Sequence, residues 1–284
     1  MTARTTTIPV YTISLGCPKN LVDSEYLLGG LPGKAKPVDR PEDAAVVLVN
    51  TCGFIRPAVE ESLGEILDAA AALRGLAPKP LLVVAGCLVS RYGEELKSGL
   101  PEVDLWLSTH ELPDWPSKIA QALSRTPSAA PARLFSSPPS YAYLKISEGC
   151  RHACRFCTIP SIRGRLKSRG VAELAQEARD ILATGRKEII LVAQDLTAYG
   201  RDLENPADLR GLLETLVPLR GLERLRLLYL YPAGLDAELL DFLKDAGPPF
   251  VPYFDIPLQH AHPDILKSMG RPFAKDPRRV IDLV

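Results

Sequence analysis

The sequence predicts an α/β protein in two parts: an N-terminal parallel-sheet domain over 1–124 and, after a linker at 125–140, a partial (β/α) barrel over 141–284. Three observations predict it. Short apolar runs alternate with helical segments along most of the chain, the pattern of parallel strands joined by crossover helices. A stretch rich in Pro, Ser and Ala, SRTPSAAPARLFSSPPS, interrupts that alternation at 124–140 and reads as a linker or extended crossover. At 284 residues the chain is long for one domain and comfortable for two, taking about 100–200 residues each.

In the first part, strands are expected at Ile13–Leu15, Val46–Val49 and Leu81–Ala85, with helices at Val22–Leu28 and Val59–Leu73. Trp106, Trp115 and a helix near Lys118–Leu123 close this unit. In the second part, strands are expected at Tyr141–Ile146, Glu188–Val192, Arg224–Leu230 and Tyr253–Ile256. Helices are expected at Val171–Ala183, Leu209–Leu216, Ala237–Leu243 and Asp264–Met269. Units of this length suit a parallel barrel, whose ligands collect at the C-terminal ends of the strands. Asp276-Pro277 has the form of a helix start, Asp as N-cap and Pro in the first turn.

Composition excludes several classes. Apolar residues make up 46% and charged residues 24%, which rules out a disordered chain. No apolar run approaches a membrane span, and the N-terminus lacks the basic start, apolar stretch and cleavage site of a signal peptide. A cytoplasmic location and no membrane partner are therefore expected. Thirty-four basic residues cancel thirty-four acidic ones, so no global field draws nucleic acid, and free tRNA is not an expected partner.

The six cysteines form two sets of three. Cys150, Cys154 and Cys157 read C-x3-C-x2-C, three thiolates within eight residues. Structural zinc normally takes four protein ligands, and His152, inside the first gap, is awkwardly placed to be the fourth. A 4Fe–4S cluster suits three close cysteines better and leaves one iron open to another ligand. Cys17, Cys52 and Cys87 stand 35 residues apart, each just after an apolar run. Three cysteines at equivalent strand ends point to a second cluster. The rival readings are zinc for the first-described set and plain core packing for the spaced one.

At this point the motifs resemble a known family. EGCRHACRFCTIPSIRGRLKSR is similar to the cluster motif of radical S-adenosylmethionine (SAM) enzymes, in the form found in methylthiotransferases. SLGCPKNLVDSE, VNTCGFI and VAGCL resemble that family's N-terminal cluster domain. The GCPKNLVDSE wording is similar to the branch that modifies an aspartate of the twelfth small-subunit ribosomal protein; the tRNA-modifying branch is the nearest alternative. The resemblance implies a radical SAM transferase that adds sulfur and a methyl group at the aspartate β-carbon. It implies two 4Fe–4S clusters on Cys17, Cys52, Cys87 and on Cys150, Cys154, Cys157, with SAM on the second. It also implies a ribosomal protein substrate, within the ribosome or free, and an external electron donor. A different class, a non-catalytic iron–sulfur carrier or scaffold, stands as the alternative function. The family normally has a six-unit barrel followed by a small β-barrel TRAM domain. Here about four units and the start of a fifth helix can be counted, so the chain is expected to be C-terminally truncated.

No catalytic side chain is singled out. Phe156 is expected by resemblance to line the adenine side of the SAM pocket, against simple packing as its other reading. Gln194 and Gln259, at expected strand ends, are candidates for SAM or substrate contact. Asp195 and His260 beside them are weaker candidates, and His110 and His262 read as surface residues. Arg163, Arg165, Lys167 and Arg169 form a basic run that reads as a solvated loop or as a docking patch for an acidic partner. Asp23 and Glu25 read as first-turn carboxylates offsetting a helix dipole.

Overall fold

The computed structural model describes residues 7–126, 133–204, 207–273 and 276–284. It divides into two compact units, one of residues 1–136 together with Ser161–Arg163, the other of Ser137–Pro160 and Gly164–Val284. The centre of the expected linker, 127–132, lies outside the described residues. Arg133 to Ser136, at its end, group with the first unit, where Arg133 and Ser136 both bind the buried Glu25 carboxylate.

The first unit runs β1 (Thr7–Ser14), α1 (Pro18–Gly29), β2 (Lys34–Pro37), β3 (Val46–Thr51), α2 (Arg56–Ala72), β4 (Leu81–Gly86), α3 (Cys87–Gly99), β5 (Leu105–Ser108) and α4 (Trp115–Ala122). The strands form one parallel sheet in the order β2-β1-β3-β4-β5. Strand β3, VVLVNT, is buried along its whole length, as a central strand covered on both faces must be. Side chains alternate between two cores. Val46, Leu48, Val83 and Ala85 pack with Leu27, Leu28, Trp115 and Ile119 of α1 and α4. Val47, Val49, Leu82 and Val84 pack with Ile66, Ala69 and Leu73 on the α2 side, and with Leu88 and Val89 of α3. Register sets the site: Ser14 pairs with Asn50, and Asn50 with Ala85, so β1, β3 and β4 end level.

Several elements of this unit depart from the expected pattern: β1 runs Thr7–Ser14 rather than Ile13–Leu15, and β5 forms where no strand is expected. Strand β2, KAKP, is polar because it is an edge. Helix α3 starts at Cys87 itself and carries a break at Gly93. Helix α1 begins at Pro18 rather than Val22, Pro being suited to the first helical turn. Asp23 and Glu25 therefore lie past the first turn and are buried, correcting their expected role at a helix start.

The second unit runs β6 (Tyr141–Lys145), β7 (Ser147–Glu148), α5 (Ile159–Arg163, whose last three residues group with the first unit), β8 (Lys167–Ser168), α6 (Val171–Ala183), β9 (Glu188–Val192), α7 (Leu209–Leu216), β10 (Arg224–Leu227), α8 (Ala237–Asp245), β11 (Phe250–Phe254), α9 (Pro263–Ser268) and α10 (Pro277–Leu283). Its main sheet is parallel in the order β11-β10-β9-β6. Each new strand thus adds beside the last, as in a (β/α) barrel. β7 and β8 form a short antiparallel pair flanking the cysteine loop. The last strand covers Phe250–Phe254 instead of Tyr253–Ile256. Its position follows pairing with Leu225 and Leu227 across a register shift, not the apolar run. β10 likewise stops at Leu227, three residues before the expected end, and Tyr229 has a left-handed backbone. Asp276 caps α10 as expected, accepting from the Arg279 N–H.

Candidate functional site

In the first unit the level ends of β1, β3 and β4 deliver Cys17, Cys52 and Cys87 to one end of the sheet. Cys17 is the N-cap of α1, Cys52 directly follows β3, and Cys87 opens α3. The approach is close: a side chain at Gly16 would lie 3.0 Å from the Cys52 sulfur. Gly86 has φ +101, and a Cβ there would fall 2.3 Å from Asn50 Oδ1 and 2.6 Å from the Thr51 carbonyl. Only glycine fits between the strand end and Cys87.

Buried amides hold this end together. Asn20 Nδ2 donates to the Leu15 and Thr51 carbonyls, both at 2.9 Å, tying α1 to the loop after β1 and to the end of β3. Asn50 Nδ2 donates to the Asn20 carbonyl and to Ser24 Oγ. Arg163, read from sequence as a loop residue, is instead buried in this unit. Its Nε–H donates to Cys87 Sγ at 3.3 Å, and its terminal nitrogens donate to Asp23 Oδ2 at 3.1 Å and to Asn20 Oδ1. Burial pushes the Cys87 thiol up to about 11, against the pull of Arg163, and pushes Cys52 up as well; neighbouring thiols add to both. The charges of Cys17 and Cys52 thus act on Cys87, and that of Cys17 on Cys52.

In the second unit Cys150, Cys154 and Cys157 share the loop after β7. Gly149 turns into it with φ +71, and a Cβ there would meet the Arg165 carbonyl at 2.1 Å. The Cys150 N–H donates to the Gly164 carbonyl, closing the loop. Burial raises the Cys150 and Cys157 thiols, and the charge of Cys154 adds to both shifts. His152 does not turn toward the thiols as a fourth ligand. Its Nε2 lies 2.6 Å from Asp195 Oδ2, and its ring stacks on Tyr231 at 3.9 Å. Asp195 is in turn fixed by the Thr197 N–H and hydroxyl. Beside Cys154 opens a cavity of about 480 Å³, lined among others by His152, Asp195, Arg201 and Tyr231.

The three expected cofactor contacts lie in different places. Phe156 is 42% exposed, with the Arg271 guanidinium 5.4 Å from its ring. Gln194 donates to Glu148 Oε1, and its own Oε1 is buried with no hydrogen-bond partner among the described residues. Gln259 is exposed in the loop beyond β11 with φ +73, five residues past the strand rather than at its end. His262, exposed as expected, caps α9 by accepting from the Asp264 N–H. The basic run is not one surface: Arg163 is buried, Arg169 pairs with Glu173 and Glu177, and Arg165 and Lys167 are exposed. Asn20, Asn50, Tyr231 and Arg271 were not expected from sequence. For the two asparagines a signal existed, polar residues within a buried helix face and at the end of an apolar strand.

Among the described residues no three His, Cys, Asp or Glu side chains converge closely enough to share one metal ion. A tetrahedral zinc site requires that convergence. An iron–sulfur cluster does not, because each thiolate binds a different iron. Two all-thiol triplets held by close-packed backbone suit clusters, in which each thiolate binds its own iron.

An α/β sheet with a thiol triplet at its strand ends, and sequential parallel strands with a second triplet after the first, suit iron–sulfur chemistry. Residues 144–284 match the radical SAM superfamily, and residues 9–108 match uncharacterized protein family UPF0004. It is 60% identical over 98% of its length to proteins named ribosomal protein uS12 methylthiotransferase RimO in Nitratidesulfovibrio vulgaris and Oleidesulfovibrio alaskensis, covering 65% of each. It is 53% identical over 99% of its length to the protein of that name in Lawsonia intracellularis, covering 64% of it. The chain thus spans about two-thirds of these relatives' length, just under that fraction. Among solved structures, the radical SAM methyltransferase TsrM from Kitasatospora setae, with cobalamin and a [4Fe-4S] cluster bound, shares the fold. The TM-score is 0.67 at 15% identity, over 98% of this chain and 66% of that one.

Proposed function

We propose that this chain carries the cluster-binding part of a radical SAM methylthiotransferase acting on ribosomal protein uS12, joining sulfur and a methyl group to an aspartate β-carbon. The observation that carries this reading is the assembly of two separate thiol triplets, one per unit, in a chain 60% identical to proteins named for that activity. In this reading Cys17, Cys52 and Cys87 hold one 4Fe–4S cluster in a sulfur-handling domain, and Cys150, Cys154 and Cys157 hold the other in the radical domain. A C–H bond on an unactivated carbon has no useful acidity, so a cluster with SAM supplies the one-electron chemistry that side chains lack.

The chain's own residues have the remaining tasks. Gln194 orients Glu148 at the mouth of the cysteine loop and offers a buried acceptor to SAM. Phe156 supplies an apolar face for the adenine, and Gln259 a polar contact from the loop after β11. The His152–Asp195 pair and Tyr231 form the wall beside Cys154. The partners proposed are uS12, within or outside the small subunit, and an external electron donor. The location proposed is the cytoplasm, where ribosomal proteins are met; among the described residues no helix is long and apolar enough to cross a membrane.

The test is anaerobic reconstitution with iron and sulfide, followed by dithionite, SAM and uS12. The expected result is about eight irons per chain, formation of 5′-deoxyadenosine, and a methylthio mass increase on uS12 alone. A reducible cluster with no SAM cleavage would move the protein to the carrier class; modified tRNA with unmodified uS12 would move it to the tRNA-directed branch.

A further inference from the structure

Arg163 has an arrangement that neither helix capping nor solvation explains. Its side chain and that of Asp23 are each only 1% exposed. All faces of the guanidinium are used: Nε–H on Cys87 Sγ, both terminal nitrogens on Asp23 Oδ2, and one also on Asn20 Oδ1. Asn20 is itself anchored on two backbone carbonyls, and its Oδ1 lies 3.7 Å from the same sulfur. Burying a guanidinium is costly unless its charge is matched and its donors are filled. Asp23 does the first here. Of the remaining donors, the one on Nε is aimed at sulfur.

We propose that Arg163 is a positioning residue for the N-terminal cluster, holding the Cys87 sulfur in its ligating direction and drawing the cluster's reduction potential upward. The proposal rests on the reading that Cys17, Cys52 and Cys87 bind a cluster. An N–H donated to a ligating sulfur binds more strongly as that sulfur gains negative charge, so it favours the reduced state. Burial strengthens the effect, since no water competes for the donor. Asp23 cancels the long-range charge of the guanidinium, which leaves the directional hydrogen bond as the main influence on the sulfur. Lysine has no planar fork and cannot serve Asp23, Asn20 and Cys87 together.

The experiment uses the full chain with Cys150, Cys154 and Cys157 replaced by Ala, so that only the N-terminal set can bind iron. It is reconstituted anaerobically and compared with the same chain carrying Arg163→Lys, and with one carrying Arg163→Gln and Asp23→Asn together. The double change replaces the ion pair by a neutral pair and leaves no buried charge alone. Iron and sulfide per chain, thermal midpoint and cluster midpoint potential are measured. The expected result is unchanged iron and sulfide with a lower potential in both variants, the larger shift in the double one. A lowered thermal midpoint with the parent's potential in both would mean that Arg163 only braces the fold, and would overturn the proposal. A folded parent that binds no iron at all would overturn the cluster reading itself, and the two failures are thus distinguished.

Discussion

Cys150, Cys154 and Cys157 lie on one loop, and each stays partly exposed; Cys17, Cys52 and Cys87 come from three strand ends, and the last is buried. The loop triplet is set by local chain geometry, a turn at Gly149 and a closing bond from Cys150 to Gly164. The dispersed triplet is set by sheet register, which levels β1, β3 and β4, and by polar side chains buried between them. The difference teaches where each site is fragile. The dispersed triplet depends on the whole fold of its unit, the loop triplet on a few backbone contacts.

The largest effect is expected where the dispersed site is tightest. Gly86→Ala forces a Cβ against Asn50 Oδ1 in a backbone conformation that disfavours side chains. It should cost about 3 kcal/mol or more and remove the N-terminal iron while leaving the loop cluster. Gly64→Ala, with nothing within 4 Å of its Cβ and a place inside α2, should instead stabilise by roughly 0.5–1 kcal/mol. Denaturant unfolding with iron analysis checks both. Equal behaviour of the two would remove the argument from close packing.

Next come the ion pairs. Asp23→Ala leaves Arg163 buried without its carboxylate and should cost about 3–5 kcal/mol. Glu173→Ala, which removes a 59% exposed partner of Arg169, should cost no more than about 0.5 kcal/mol. Urea midpoints of the two variants measure the contrast directly.

A pH effect follows from Cys87. Its thiol is raised from 9.0 to about 11 in the metal-free fold. A raised folded-state value means stability is fully present below the unfolded value and lost as pH climbs through the folded one. The metal-free chain should therefore lose on the order of 2–3 kcal/mol between about pH 9 and 11. Cys87→Ser should flatten that limb of the stability profile. A profile unaffected by the substitution would show that Cys87 is not the group responsible.

A mild effect is expected at a helix cap outside both cysteine sets. Asp208 caps α7 by accepting from the Gly211 N–H at 2.8 Å. Asp208→Ala should cost about 1 kcal/mol and leave the iron content of both sites unchanged.

Much of this was legible in the residues because apolar periodicity reports burial. The wholly buried β3, the nearly buried β4, and helices such as α6 and α7 fall close to their expected positions. What escaped was set by partners distant in sequence. β2 is polar because its outer edge is unpaired, and β11 takes its position from Leu225 and Leu227. Asp23 and Glu25 look like dipole carboxylates until Arg163 and Arg133 are seen 140 and 108 residues away. Spacing exposed the cysteines. It could not expose the buried amides and the guanidinium around them, because such groups differ from surface residues only in what they meet.

The central claim is that the two triplets are separate cluster sites, each complete within its own unit. Iron and acid-labile sulfide per chain, measured on the reconstituted parent, Cys87→Ala and Cys154→Ala, test it most directly. The account predicts that each substitution removes about half of the parent's iron, with the residual cluster reducible in both variants. Loss of all iron in either variant, or no loss in one of them, would contradict it.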